Sequence, residues 1–240
     1  MKTKPENILL VGFPSNGLVG TFTISYLIHY MGMKQIGEID HPDLPPTLFV
    51  EDGEILTPIR IYKKNNIHVI ISDIPFDQYA AYTFGESILN FCKKNAIQKI
   101  IIVSGLETIS QDPKSRKIFG LTTHKSLEET LYNNRIQKFL SGSIFGTDAA
   151  LISVFRKSTV PALILYAECH PFFPDPEASV NATSALAKIL NIKINTDDIK
   201  KRIERLRIQH RNLMEQTIKT LQQQREDSQG LQPKAPQIYK

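Results

Sequence analysis

The sequence predicts an α/β fold, a three-layer α/β/α domain with a mixed, largely parallel sheet, followed by a C-terminal helix and a flexible tail. Three observations predict it. Apolar runs of six or seven residues recur without polar alternation, as strands buried on both faces require. Segments of helical length with helical apolar spacing lie between them. The two patterns alternate along the chain, the order that a parallel sheet needs for its crossovers.

Residues 7–13 (NILLVGF) form the first strand pattern, ended by a Gly/Pro turn, and residues 17–31 the first helix. Residues 47–51 and 54–63 flank Asp52-Gly53, a hairpin signal because both turn positions need φ > 0. This hairpin is expected to make the sheet mixed. Residues 67–72 (IHVIIS) read as a buried strand, 79–94 as a helix and 99–104 (KIIIVS) as the third core strand. Residues 148–157 read as a helix, 162–167 (ALILYA) as the fourth strand, and 176–190 as a helix opened by proline. No internal repeat is visible. The domain reading is a body over 1–195, a helix over 196–225 and a tail over 226–240.

The helix has its own signals. Thr196 suits an N-cap, and Asp197 and Asp198 place acid in the first turn, where the helix dipole favours it. Ile199, Ile203, Leu206, His210 and Leu213 make one apolar seam at alternating spacings of four and three. Such a seam packs either on the body or on its counterpart in an oligomer, and the oligomer is slightly favoured. After Arg225 the chain has two prolines, a glycine and few apolar residues, so its ordering entropy has no burial to offset it and a tether is expected. The tether ends in Ile238-Tyr239-Lys240, an aliphatic and an aromatic residue that are not expected to serve the core.

Composition narrows the function. The 41% apolar fraction supports a core, and no stretch approaches the about 20 apolar residues of a membrane helix. Two distant cysteines, Cys92 and Cys169, and no signal pattern fit an intracellular, cytoplasmic protein. Charge is asymmetric: residues 199–240 hold ten Lys/Arg against four Asp/Glu, a net +6, which leaves the preceding residues at −1 of the total +5. Tyr239 is the only Phe, Trp or Tyr after Phe173, so the basic segment lacks the aromatic interleaving of many nucleic-acid binders.

The glycine cluster Gly12-Phe13-Pro14-Ser15-Asn16-Gly17-Leu18-Val19-Gly20 sits between strand and helix, where phosphate loops sit. It has the GxxxxG frame of a P-loop, but Leu18 and Val19 stand where Lys and Ser/Thr are required. The dinucleotide GxGxxG also fails, because Pro14 occupies the second glycine position. Gly12, Pro14, Gly17 and Gly20 are therefore expected to be structural, a tight turn with close helix packing. An enzyme reading rests on Asp73, Glu107, Glu168 and His170 just after apolar strands, with Asp77, Asp148 and Asp175 at similar positions. HExxH, GxSxG and CxxC are absent, so no catalytic residue and no metal site is expected, and exposed polar loops explain the acids more simply.

Read together, these motifs resemble the family of proteasome assembly chaperone 2 and its archaeal homologues. The resemblance rests on the glycine cluster, on Pro58, on Ser104-Gly105, on Gly142-x-Ile144-x-Gly146 and on Asp175-Pro176-x-Ala178, and it spans residues 7–194. It implies a phosphorylase/hydrolase-like fold, homo-oligomerisation and binding without catalysis or cofactor. It also implies a partner, the α ring of the proteasome core particle. Ile238, Tyr239 and Lys240 match, position by position, the hydrophobic–tyrosine–any-residue ending of proteasome activators, which needs a free C-terminus. The expected function is an ATP-independent activator or assembly chaperone that docks this ending. The alternatives are an enzyme acting on a small nucleoside-like or amide substrate, and a holdase for unassembled clients.

Overall fold

The computed structural model describes residues 5–40, 43, 47–51, 53–75, 78–108, 116–171, 173–209 and 219. Its centre is β1 (Ile8–Gly12), flanked by β6 (Ile67–Ser72) and β7 (Lys99–Glu107), with β10 (Ala162–Cys169) beyond β7. These four strands run parallel, in the register Leu10 to Val69 and Leu10 to Ile101 across β1. They are the apolar runs predicted from sequence, and they lie in the middle because only a strand covered on both faces tolerates an unbroken apolar run. Outside them come β5 (Ile59–Lys64) and β2 (Lys34–Glu38) on one edge, and β8 (Ile118–Thr122) and β9 (Gln137–Lys138) on the other. The eight-stranded order is β2-β5-β6-β1-β7-β10-β8-β9.

Alternate residues feed two cores. Leu10, Ile101, Val103 and Leu165 face the layer of α1 (Val19–Met31), α5 (Pro176–Ile189) and α6 (Thr196–Gln209). Leu9, Val11, Ile102 and Ile164 face α2 (Gln78–Lys94) and α4 (Gly146–Phe155), which pack on each other. The three-layer α/β/α architecture follows from this period-two division of the strands.

Three expectations change. The expected hairpin forms, with β3 (Phe49–Glu51) paired to β4 (Glu54–Leu56) and Gly53 at φ +84°, but it is a separate two-stranded ribbon. The expected long second arm breaks at Thr57-Pro58, and the segment after it joins the main sheet as β5. The sheet is mixed for another reason: β5 runs antiparallel to β6, β2 to β5, and β8 to β10. Second, β2, β8, β9 and the short α3 (Glu128–Asn133) carry no strong pattern in the sequence, since edge strands bury little. Third, the described part of the C-terminal seam packs on its own body: Ile199 and Ile203 are fully buried in the core shared with α1 and α5. The aliphatic side chains of an amphipathic helix need one apolar surface, and the α1–α5 pair supplies it for Ile199 and Ile203.

Candidate functional site

The glycine cluster follows β1 and leads into α1. Its glycines are where backbone meets backbone. A Cβ on Gly20 would stand 2.4 Å from the Val103 carbonyl, so the first turn of α1 rests directly on β7. A Cβ on Gly12 would stand 2.5 Å from Ile24 Cγ1. Gly17 has φ +63°, and the peptide that follows carries Leu18 into the left-handed region as well, at φ 52°. Pro14 is buried beside them.

This turn occupies the crevice where an open α/β sheet usually binds its ligand. The chain leaves β1 towards β6 and leaves β7 towards β10, so the switch point lies between the carboxyl ends of β1 and β7. Residues 15–18 fill it. A Cβ on Gly105 would meet the Asn16 carbonyl oxygen at 2.0 Å and Cys169 Sγ at 2.7 Å. The Gly105 amide donates to Ser15 Oγ at 3.3 Å, and the Asp175 amide to the Gly17 carbonyl at 2.9 Å. The protein's own backbone thus sits where a phosphate would lie in a nucleotide-binding relative of this architecture.

The acids beyond the strands are tied into the frame. Asp175 caps α5: Oδ1 accepts from the Ala178 amide at 3.0 Å and Oδ2 from the His170 amide at 2.9 Å. The same carboxylate pairs with Arg116, and both side chains are almost fully buried. Asp73 pairs with Arg60, and Glu168 Oε2 accepts from the Lys117 amide at 2.8 Å. The His170 ring lies 5.0 Å from the Phe173 ring, centroid to centroid. Glu107 ends β7, and Asp77 lies outside the described residues. Among the described residues no three His, Cys, Asp or Glu side chains cluster as metal ligands. Cys92 and Cys169 are buried, and burial pushes each thiol up to about 12, far from a reactive thiolate.

Asp148 is the exception. Ser104 donates to its Oδ2 at 2.8 Å, while Oδ1 has no hydrogen-bond partner among the described residues. The buried Tyr166 hydroxyl faces the same carboxylate at longer range. Desolvation raises this carboxyl from 3.8 to about 6, against the smaller opposing pull of the two hydroxyls. Its folded pKa lies above its unfolded value, so the folded state holds the proton more tightly. Stability from this group is present below 3.8 and is lost as pH rises through about 6. Asp148→Asn is therefore expected to stabilise the protein at pH 7.5 by at most about 3 kcal/mol. The gain should shrink towards zero near pH 4. Urea unfolding midpoints at the two pH values check this, and an equal gain at both would refute it.

Gly12 ends β1, Pro14 and Gly17 lie in the connection and Gly20 in the first turn of α1, and the sequence alone could not show what this connection fills. Sequence reasoning missed Arg116, the partner of Asp175, and Tyr166, whose hydroxyl faces Asp148, because neither pairing is local in sequence. Ile238, Tyr239 and Lys240 lie outside the described residues.

Residues 9–214 match the model of the PAC2 family. An uncharacterized protein of Methanocaldococcus jannaschii, MJ0106, is 26% identical over 228 residues, covering 94% of this chain and 93% of its own. The crystal structure of Pyrococcus furiosus PbaA, described as an archaeal homolog of proteasome-assembly chaperone, superposes with a TM-score of 0.80 at 27% identity. It covers 90% of this chain and 96% of that one. Pyrococcus furiosus PbaB, described as an archaeal proteasome activator, shares the fold with a TM-score of 0.72 at 18% identity, covering 89% of this chain and 96% of that one. With its three-layer fold, its glycine turn packed onto β7 and a family match over most of its length, the chain belongs to the PAC2 family.

Proposed function

We propose that this chain is an ATP-independent, homo-oligomeric proteasome-binding protein, an activator or assembly chaperone, that docks Ile238-Tyr239-Lys240 into pockets of the core particle's α ring. The observation that carries the reading is the similarity to PbaA over 90% of the chain, combined with the terminal Ile-Tyr-Lys. In this reading the free carboxylate of Lys240 pairs with a basic pocket residue. Tyr239 is the rigid anchor with a polar tip, and Ile238 fills an apolar recess. The filled switch-point crevice and the structural duties of Asp73, Glu168 and Asp175 favour binding over catalysis.

One tail binds weakly, and several on one oligomer bind through avidity. The exposed ribbon supports self-association. Leu48, Val50 and Ile55 are 64%, 73% and 70% exposed, and Val50 pairs directly across from Ile55. A two-stranded ribbon is marginal alone, and exposed apolar surface of this kind marks interaction sites. The same surface is what a holdase would use, so aggregation suppression that survives loss of the tail would redirect the function to client binding.

The proposed role of residues 226–237 is reach. Replacing 229–237 by an equally long Gly/Ser segment is expected to leave core-particle binding within about twofold, because effective concentration depends on linker length and stiffness. Tyr239→Ala is expected to weaken binding by at least about tenfold, the cost of losing an aromatic anchor. Surface plasmon resonance on immobilised core particles reads both. Loss of binding in the Gly/Ser variant would mean that the segment is read as sequence and that the tether account is wrong.

A further inference from the structure

Helix α6 turns Asp198, Lys201, Arg202 and Arg205 towards α1, at the three- and four-residue spacing of one helix side. Helix α1 answers with Tyr26, His29 and Tyr30, and the two helices enclose a cleft of about 350 Å³. A second cleft of about 340 Å³ adjoins it, sharing His29 and Arg202 and reaching Arg60 on β5.

The charges in the first cleft do not balance. Lys201, Arg202 and Arg205 face a single acid, Asp198. Nearby Arg60 is committed to Asp73, and Lys200, on the same helix, to Glu177. The C-terminus of α1 does not call for these cations, because Lys64 Nζ already donates to the Met31 carbonyl. Two buried donors in the walls are also left over. The Tyr26 side chain is 2% exposed, yet its hydroxyl has no partner among the described residues, and Arg202 Nε is buried without one. The Tyr30 hydroxyl, by contrast, donates to the Lys193 carbonyl at 2.7 Å. Unsatisfied buried donors beside surplus cations describe a site that lacks its acceptor.

We propose that the cleft between α1 and α6 binds a small multivalent oxyanion, a phosphate or polycarboxylate, gripped by Arg202 and Arg205 with Tyr26 donating its hydroxyl. A guanidinium fork matches both kinds of oxyanion, and Lys201 adds a point charge at the rim. Asp198 opposes the ligand and sets the affinity. This site is independent of the C-terminal tail.

The test is calorimetric titration of the full chain with pyrophosphate and with citrate, against sodium chloride at matched ionic strength. Saturable binding is expected for at least one of the two, and which one binds distinguishes phosphate from carboxylate. Arg202→Gln should weaken it by about tenfold or more, the usual loss for a charge-assisted bond. Tyr26→Phe should weaken it several-fold, and Asp198→Asn should strengthen it. Lys201→Gln changes only an exposed side chain, so it decides the matter if Arg202→Gln misfolds, and it should weaken binding several-fold. Heats no different from sodium chloride, or binding unchanged in both Lys201→Gln and Arg202→Gln, would overturn the site.

Discussion

Asp175→Ala is expected to destabilise the protein by about 4 kcal/mol or more. The substitution removes the partner of the buried Arg116, and breaking a buried pair costs about 3–5 kcal/mol because the remaining charge is uncompensated. It also removes the N-cap of α5, worth about 1 kcal/mol, and frees the His170 amide. Asp175→Asn separates these terms. Asparagine still caps but no longer neutralises Arg116, so its loss should fall between wild type and Asp175→Ala. Adding Arg116→Met to Asp175→Asn should recover part of the stability, because the stranded charge is gone. Urea unfolding of the four proteins measures the series. Equal losses for Asn and Ala would show that the cap contributes nothing.

Gly105→Ala is expected to cost about 3 kcal/mol or more. Its Cβ would lie 2.0 Å from the Asn16 carbonyl and 2.7 Å from Cys169 Sγ, and a backbone carbonyl cannot rotate away as a side chain can. Ordinary overpacking costs about 1–3 kcal/mol, and here the displaced group is the turn that fills the switch-point crevice. Moving that turn also disturbs the Gly105–Ser15 and Asp175–Gly17 hydrogen bonds. Gly37→Ala is the control. Its nearest neighbour would be 3.9 Å away, so it should fall within about 1 kcal/mol of wild type, on either side. Thermal unfolding of both variants compares them directly.

Both sites show what the sequence could and could not say. The four core strands were legible because burial on both faces leaves an unbroken apolar run, a signal carried within six residues. The edges were not: Lys34–Glu38 is mostly exposed, so its composition answers to solvent rather than to the sheet. The Asp52-Gly53 turn correctly announced a hairpin, but nothing local tells a ribbon standing apart from one joined to the main sheet. Gly12, Gly17 and Gly20 announced a tight turn, and their spacing excluded two nucleotide motifs. That the turn fills the crevice depends on Gly105 and Cys169, which only the sheet order brings beside it. Arg116, just before β8, and Asp175, the N-cap of α5, are 59 residues apart, so their pairing has no signature in either segment. The seam of Ile199 and Ile203 was visible, but which surface would bury it depended on the groove that α1 and α5 make together.

The central claim is that the last residues dock this protein onto the proteasome core particle. The most direct measurement is co-purification of core particles with the full chain and with a chain lacking Ile238, Tyr239 and Lys240. The deletion leaves the described body unchanged, so circular dichroism and thermal unfolding should match wild type. The account predicts that core particles are retained by the full chain and lost, by at least about tenfold, with the deletion. Equal retention of core particles by both chains would contradict it.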